Sequence, residues 1–321
     1  MTDLENSSAV RALKANILNS NAECGAALEK RMAHIYDAAH LARSVIEART
    51  GRSALRAIIS SDDASATSEI EKLYSEFCSG DGDIDGGISE GHLENFDFMI
   101  FSRALASSCD VGIKELFSML LGDGEGVRPS AQRKIALLRN AQVNRAFEMF
   151  AEKLRGVEAV YEDNFQSLCE AVYAGEAEFS IIPVENSVDG RLDGLYRMME
   201  KYGMQILMSC RVFSVDGSST RFALAGRSGA LIEHEGEMKL EFKITLQSPL
   251  ELADIMDASR FFAAEPERID SLPGMFGGRE NSFGILLDIS RADVSGLITY
   301  LSLRFAQFVP SGMYVQITEG E

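Results

Sequence analysis

The stretch that decides the fold is Phe179-Ser-Ile-Ile-Pro-Val-Glu-Asn-Ser-Val-Asp-Gly190. Its first half, residues 179–184, is an apolar run rich in β-forming side chains, and it ends abruptly at Glu185-Asn186-Ser187. Gly190 then precedes a new amphipathic stretch. Small polar side chains between a strand and a helix occupy the place where open α/β sheets bind ligands. The same residues also suit a plain strand-to-helix turn capped by Asn186 or Ser187.

Alternating strand and helix patterns surround this stretch from about residue 134 to residue 225. The predicted strands are 134–138, 157–161, 179–184, 204–212 and 221–225, and the predicted helices are 142–154, 164–174 and 192–201. Such alternation predicts βαβ units and a mainly parallel sheet. From Lys239 to Ile317 the pattern is that of a βαββαβ, ferredoxin-like module, if one further strand precedes Pro273. Residues 226–236 are a predicted linker.

Residues from about 8 to 120 are predicted to be helical. Their apolar side chains recur at helical spacing at Leu13, Ile17, Leu28, Met32, Ile35 and Ala39. Two further helices are expected near 68–77 and 93–105, separated by a Gly- and Asp-rich loop. The predicted fold class is therefore α + α/β + α+β, in segments 1–125, 130–228 and 237–321.

Composition excludes some function classes. The formal charge of −18 argues against nucleic acid or an anionic membrane as a partner, since both require a basic surface. The sequence has no apolar run of membrane-spanning length and no basic-then-apolar leader, so we expect a soluble, cytoplasmic protein. Five scattered cysteines without a CxxC pair predict reduced thiols.

Two segments resemble the signatures of prephenate dehydratase. Pro183-Val-Glu-Asn-Ser187 and Thr220-Arg-Phe222 stand in the family's order. The resemblance implies a periplasmic-binding-protein-like α/β domain that converts prephenate to phenylpyruvate, water and carbon dioxide. It also implies that Thr220 assists the leaving hydroxyl through a directed hydrogen bond. The remaining implied site residues are Glu185, Asn186 and Ser187 in the catalytic cleft, and Arg221 and Phe222 at the substrate.

The chain departs from that family in two ways. The family's Gly-Pro-x-Gly-Thr/Ser loop after the first strand is replaced by Arg139-Asn-Ala-Gln-Val-Asn144. Thr220 follows Asn186 by only 34 positions, which is room for one helix and one strand, whereas the family inserts a second lobe there. The sequence therefore predicts a single lobe. Either another subunit supplies the second wall of the cleft, or the dehydratase site is inactive.

The N-terminal helix resembles the first helix of the all-helical chorismate mutases, which precede the dehydratase in the bifunctional P-proteins. The similarity rests on the spacing of Leu13-Lys14, Ile17, Leu28 and Arg31-Met32. It implies that Arg31 and Lys14 bind a dianionic substrate.

The C-terminal module resembles an ACT domain, the phenylalanine-binding regulatory unit of P-proteins. Asp270-Ser271-Leu272-Pro273 stands for the family's Glu-Ser-Arg-Pro, and Ser248-Pro249-Leu250 for its Gly-Ala-Leu. The resemblance implies that Asp270, Ser271 and Leu250 contact the effector. A dimerisation module without an effector is the alternative, because the arginine and glycine are lost.

Metal and cofactor motifs are weak. Residues 81–89 fit the first nine positions of an EF-hand loop, but position 12 is His92 instead of a bidentate glutamate, which favours a solvated turn. The four histidines have no metal-binding spacing, and no nucleotide or nucleophile-elbow motif is present. We predict no metal and no cofactor.

Three hypotheses follow. The first is a working enzyme of phenylalanine biosynthesis, a prephenate dehydratase (lyase). The second is a non-catalytic relative that binds a chorismate-pathway metabolite or aromatic amino acid, or regulates an active partner. The third is a chorismate mutase only. The expected partners are prephenate or chorismate, phenylalanine as effector, and a second copy in a homodimer.

Overall fold

The computed structural model describes residues 8–59, 68, 70, 72–74, 90–121, 133–154, 156–227, 236–272 and 281–318. At the N-terminal end it contains α1 (Ser8–Thr50), α2 (Ala54–Ile59), α3 (Glu90–Cys109) and α4 (Ile113–Leu121). Residues 68, 70 and 72–74 are helical too, whereas the EF-hand-like stretch 81–89 lies outside the described residues. None of the helices in this described part has the length and hydropathy needed to cross a membrane.

The segment that contains the opening stretch alternates strands and helices as its pattern predicted. Its elements are β1 (Arg133–Leu138), α5 (Ala141–Leu154), β2 (Val157–Glu162), α6 (Phe165–Ala174), β3 (Phe179–Asn186), β4 (Gly190–Arg191), α7 (Asp193–Lys201), β5 (Gln205–Phe213) and β6 (Ser219–Gly226). Local signals set the bounds of α6. Asn164 and Ser167 form a capping box at its start, and Gly175 adopts a left-handed conformation at its end.

The expectation of a mainly parallel sheet is wrong for this segment. β1 pairs in parallel with β2 and β3, but β6 pairs antiparallel with both β3 and β5. The physical reason is the short connection between β5 and β6, residues 214–218. A parallel crossover requires a dozen or more residues, so two strands joined this closely must run antiparallel.

The C-terminal segment has the predicted βαββαβ order. It comprises β7 (Glu237–Leu246), α8 (Glu251–Phe261), β8 (Glu265–Leu272), β9 (Asn281–Asp288), α9 (Val294–Arg304) and β10 (Phe308–Ile317). The strands lie in the order β10-β7-β9-β8, and each neighbouring pair is antiparallel. This is the ferredoxin-like topology. Assignment to the ACT family and a role in dimerisation stay predictions.

The two strand-containing segments share one sheet. β10 pairs in parallel with β5, which joins the described strands into a ten-stranded sheet of order β2-β1-β3-β6-β5-β10-β7-β9-β8, with β4 on β3. The sequence pattern predicted two separate segments joined by a linker. The pairing of β10 with β5 places β7 next to the dehydratase-like segment. Because side chains alternate between the two faces of a sheet, the polar residues of β7 that share one face lie against that segment.

The N-terminal helices pack on the ferredoxin-like segment, where α3 contacts α9. The Arg103 guanidinium donates to Asp293 Oδ2 at 3.1 Å and to the Phe261 carbonyl at 2.8 Å. The Tyr300 hydroxyl donates to Asn95 Oδ1 at 2.6 Å. These bonds join α3 to α8 and α9 through buried or half-buried polar groups.

Candidate functional site

The polar residues after β3 form a turn that is fastened to β6. Asn186 Oδ1 accepts from the backbone N–H groups of Val188 and Asp189 at 2.9 and 2.6 Å, and its amide donates to the Asp189 carboxylate at 2.9 Å. Ser187 Oγ accepts from the N–H of Ser219 at 3.0 Å. The bonds of Asn186 to nearby backbone are characteristic of tight turns, whereas the bond of Ser187 reaches the neighbouring strand. Asn186 therefore already has partners in the turn that precedes β4, and Ser187 has one at the start of β6.

Thr220 is half-buried and faces the start of α5. Its hydroxyl lies 3.5 Å from Gln142 Oε1, and the Gln142 amide in turn donates to Ser214 Oγ. Thr220 is thus oriented by the uncharged amide of Gln142, which the hydroxyl of Ser214 holds in turn. Phe222, two residues along β6, is only 2% exposed and belongs to the hydrophobic core.

Arg221 points to the opposite face of the sheet from Thr220, as strand alternation requires. The structure therefore separates two residues that the resemblance expected at one substrate. The Arg221 side chain is fully buried. Its Nε donates to Glu185 Oε2 at 3.0 Å, and Nη1 and Nη2 each lie 3.1 Å from Glu241 Oε2. Nη2 also donates to the Tyr196 hydroxyl at 3.0 Å, and Nη1 to the Tyr314 hydroxyl.

Glu241, at the centre of this cluster, is contributed by the ferredoxin-like segment. Its side chain is fully buried in β7, and it accepts from three arginines and two tyrosines. Arg191 Nη1 lies 2.9 Å and Arg268 Nη2 lies 3.0 Å from Oε1. Burial alone would raise the pKa of Glu241, but the three guanidinium groups and the Tyr196 hydroxyl outweigh it and hold the pKa at about 2. The carboxylate is therefore ionised at neutral pH.

Further contacts orient the two remaining arginines. The Arg191 guanidinium carbon stands 3.5 Å from the centre of the Tyr196 ring, and Nε donates to Asp193 at 2.9 Å. Gly284 of β9 leaves space for it, since a Cβ there would lie 2.9 Å from Arg191 Nη1. Arg268 bonds to Glu185 through Nη1, and its Nε lies 2.7 Å from the Asp270 carboxylate.

The tyrosines act as fixed donors in this cluster. Burial, with the negative charge of Glu241, raises the pKa of Tyr196, and burial raises the pKa of Tyr314 despite the nearby Arg221. Both hydroxyls therefore stay protonated at neutral pH. The Tyr314 hydroxyl donates to Glu241 Oε2 at 2.8 Å.

The other expected site residues lie elsewhere. The Arg31 guanidinium bonds to the buried carboxylate of Asp97, with Nε at 2.7 Å, which joins α1 to α3. The Lys14 side chain lies outside the described residues. Leu250 is 82% exposed just before α8. Asp270 and Ser271 lie in β8, where the Asp270 carboxylate faces Arg268. The mutase and effector roles of these residues stay predictions.

Three carboxylates lie close enough together to hold a metal ion, namely Glu237, Glu267 and Asp288. Lys239 Nζ lies among them, at 2.7, 2.5 and 2.9 Å respectively. Burial alone would lower the pKa of Lys239, but its hydrogen bonds with these carboxylates raise it. The ammonium group therefore already provides the positive charge that a metal ion would bring.

Most of the central cluster was not predicted from the sequence: Arg191, Tyr196, Glu241, Arg268 and Tyr314. One signal was present, because Lys239, Glu241 and Lys243 alternate with apolar residues along β7. That alternation is typical of a strand with one solvated face. It does not reveal that a second segment covers the polar face.

Comparison with known proteins places the resemblance on one part of the chain. Residues 143–227 match the family model of prephenate dehydratase. This segment is prephenate-dehydratase-like. The match includes both signature segments. It begins at residue 143, so it excludes β1 and most of the following loop, in which the family's Gly-Pro motif is missing. It covers a little over a quarter of the chain, and no curated protein matches the sequence.

Solved structures resemble the chain more distantly. Prephenate dehydratase from Streptococcus mutans is 18% identical, with a TM-score of 0.49 over 58% of this chain and 99% of its own. GqqA, described as a quorum-quenching acylase, is 20% identical, with a TM-score of 0.46 over 58% and 96%. Prephenate dehydratase from Arthrobacter aurescens, solved with L-Phe, is 17% identical, with a TM-score of 0.44 over 57% and 90%. Likeness at this level transfers neither an activity nor a ligand.

Proposed function

We propose that this chain is a prephenate-dehydratase-like protein of the phenylalanine branch that binds a small aromatic carboxylate, or regulates an active partner, without dehydratase turnover. One observation carries the proposal: the Arg221 guanidinium, expected at the substrate, is buried and bonded to Glu185, Glu241, Tyr196 and Tyr314. An arginine has five N–H donors. Here those donors already face partners inside the protein.

The surroundings of Thr220 support the same conclusion. Prephenate carries two carboxylates, and stabilising such a dianion requires cations or several directed N–H donors. The hydroxyl of Thr220 faces Gln142, which is uncharged and is held by Ser214. Residues 187–219, between Asn186 and Thr220, hold β4, α7 and β5, and hence no second lobe. A site with one wall also leaves the reacting group open to water.

Phenylalanine is the proposed effector of the ferredoxin-like segment. The ferredoxin-like topology of residues 237–317 supports an ACT-like role, and Asp270, Ser271 and Leu250 are the proposed contacts. A second copy of the chain is the proposed partner in a homodimer.

An active dehydratase is the second candidate, and the orientation of Thr220 favours it. Its hydroxyl is half-buried, faces Gln142 and stands beside the β3–β4 turn. A neighbouring chain that supplied the second wall would complete a cleft around it. In that case Thr220 would donate a hydrogen bond to the leaving hydroxyl.

One assay separates the candidates. Purified protein at high concentration is incubated with prephenate, and phenylpyruvate is followed beside Thr220→Ala and a remote control, Thr245→Ala. We expect no turnover by any of the three. Turnover by wild type and Thr245→Ala that is lost in Thr220→Ala would overturn the proposal and establish the dehydratase. Chorismate consumption, measured in parallel, tests the mutase hypothesis, and calorimetric titration with L-phenylalanine tests effector binding.

A further inference from the structure

Donors from five different elements converge on the Glu241 carboxylate. β4, α7 and β6 of the dehydratase-like segment contribute Arg191, Tyr196 and Arg221, while β8 and β10 of the ferredoxin-like segment contribute Arg268 and Tyr314. The acceptor itself lies on β7. The two segments therefore meet at a single buried anion.

The donor set has the chemistry of a carboxylate-binding site. Guanidinium groups bind carboxylates through paired N–H donors, and protonated tyrosine hydroxyls add neutral donors. Both oxygens of Glu241 are engaged, Oε1 by Arg191, Arg268 and Tyr196, and Oε2 by Arg221 and Tyr314. The side chains of Arg191, Arg221 and Glu241 are at most 4% exposed.

Charge balance shows why this acceptor matters. Three guanidinium groups share the cluster, and Glu185, Asp193 and Asp270 each contact its edge. Removal of Glu241 would leave the arginines facing one another without the anion between them. Each arginine would keep at least one carboxylate at the edge of the cluster, but the buried anion that all three share would be lost. Loss of a shared partner by buried charges is destabilising.

We propose that Arg191, Tyr196, Arg221, Arg268 and Tyr314 form a carboxylate-binding site, which Glu241 occupies as an internal ligand. In the folded chain Glu241 thereby prevents external carboxylates from binding Arg221. It also stabilises the contact between the ferredoxin-like and dehydratase-like segments. The ligand class of the emptied site is a small monocarboxylate. This inference does not depend on the absence of turnover, because its test measures stability.

The test is chemical complementation of Glu241→Ala. That substitution deletes the equivalent of an acetate ion, so acetate is the matching probe. We expect the Tm of the variant at pH 7 to fall by about 5 °C or more. With a Kd near 10 mM, 100 mM sodium acetate would raise it again by about 3 °C relative to sodium chloride at equal ionic strength.

Two controls make the result specific. Glu241→Gln keeps the side-chain volume and leaves no vacancy, so acetate should not raise its Tm. Glu267→Ala removes a half-exposed carboxylate on β8 that pairs with Lys239, a neighbour of Glu241 on β7. Acetate should not raise the Tm of this variant either. A Glu241→Ala variant as stable as wild type, or one that acetate stabilises no more than it stabilises Glu267→Ala, would overturn the proposal.

A double-mutant cycle covers the case in which Glu241→Ala does not fold. Arg268→Met and Glu241→Gln are measured singly and together by urea unfolding. If the two residues belong to one site, the double variant should lose clearly less than the two single losses combined. Simple additivity would contradict the proposed site.

Discussion

The Glu241 carboxylate lies 3.1 Å from the Arg221 guanidinium, and both side chains are fully buried at the junction between the two strand-containing segments. The arginine belongs to the segment that matches prephenate dehydratase, whereas the glutamate belongs to the ferredoxin-like segment. The ion pair thus removes from solvent the arginine that the family resemblance assigned to substrate. It also makes the stability of one segment depend on the other.

The contribution of Glu241 to stability should depend on pH. Its pKa is about 2 in the folded protein and near 4.5 when unfolded, so its contribution is fully present above pH 4.5 and is lost as the pH falls towards 2. The groups in contact with it are Arg191, Arg221, Arg268, Tyr196 and Tyr314, and Glu185 is the neighbouring carboxylate.

Glu241→Gln should therefore cost about 3–5 kcal/mol of unfolding free energy at pH 7. At pH 3 the difference from wild type should shrink by roughly 2 kcal/mol, because the variant lacks this titration. Urea unfolding of wild type and Glu241→Gln at pH 7 and pH 3 measures the difference in their free energies of unfolding. A difference that is the same at both would show that Glu241 does not titrate as its surroundings require.

Gly284 should not tolerate a side chain. A Cβ at this position would stand 2.9 Å from Arg191 Nη1 and 3.0 Å from its Cζ, and Arg191 is held by Asp193, Tyr196 and Glu241. We expect Gly284→Ala to destabilise by about 1–3 kcal/mol through overpacking. Gly194→Ala in α7 is the control, since nothing lies within 4 Å of its Cβ position. Equal denaturation midpoints for the two variants would show that Arg191 is free to move aside.

The buried hydroxyl of Tyr300 should anchor the N-terminal helices. Tyr300→Phe removes the donor to Asn95 Oδ1 and leaves a buried amide oxygen without this partner. The expected cost is about 1–3 kcal/mol. Tyr202→Phe, which removes an exposed hydroxyl bond to Glu170, should leave the unfolding midpoint unchanged. Thermal unfolding of the two variants is the measurement. An unchanged melting temperature of Tyr300→Phe would show that this hydrogen bond does not stabilise the packing of the helices.

The sequence by itself determined the order of the elements and the family resemblance. The apolar run 179–184, the helix signals Asn164 and Gly175, and the βαββαβ pattern after Lys239 all act over a few neighbouring residues, so they can be read without the fold. Even the separation of Thr220 from Arg221 follows from strand alternation, although the family resemblance drew them to one substrate.

Only the tertiary structure decided what covers each face of the sheet. Alternation along β7 predicts that Lys239 and Glu241 share a face, but it does not predict that β5 pairs with β10 and brings Arg221 above that face. The antiparallel pairing of β3 with β6 was not expected from the sequence either. Strand pairing between distant segments depends on contacts that no local pattern encodes. The Glu241 cluster, which joins residues up to 123 positions apart between Arg191 and Tyr314, therefore became visible only in the folded chain.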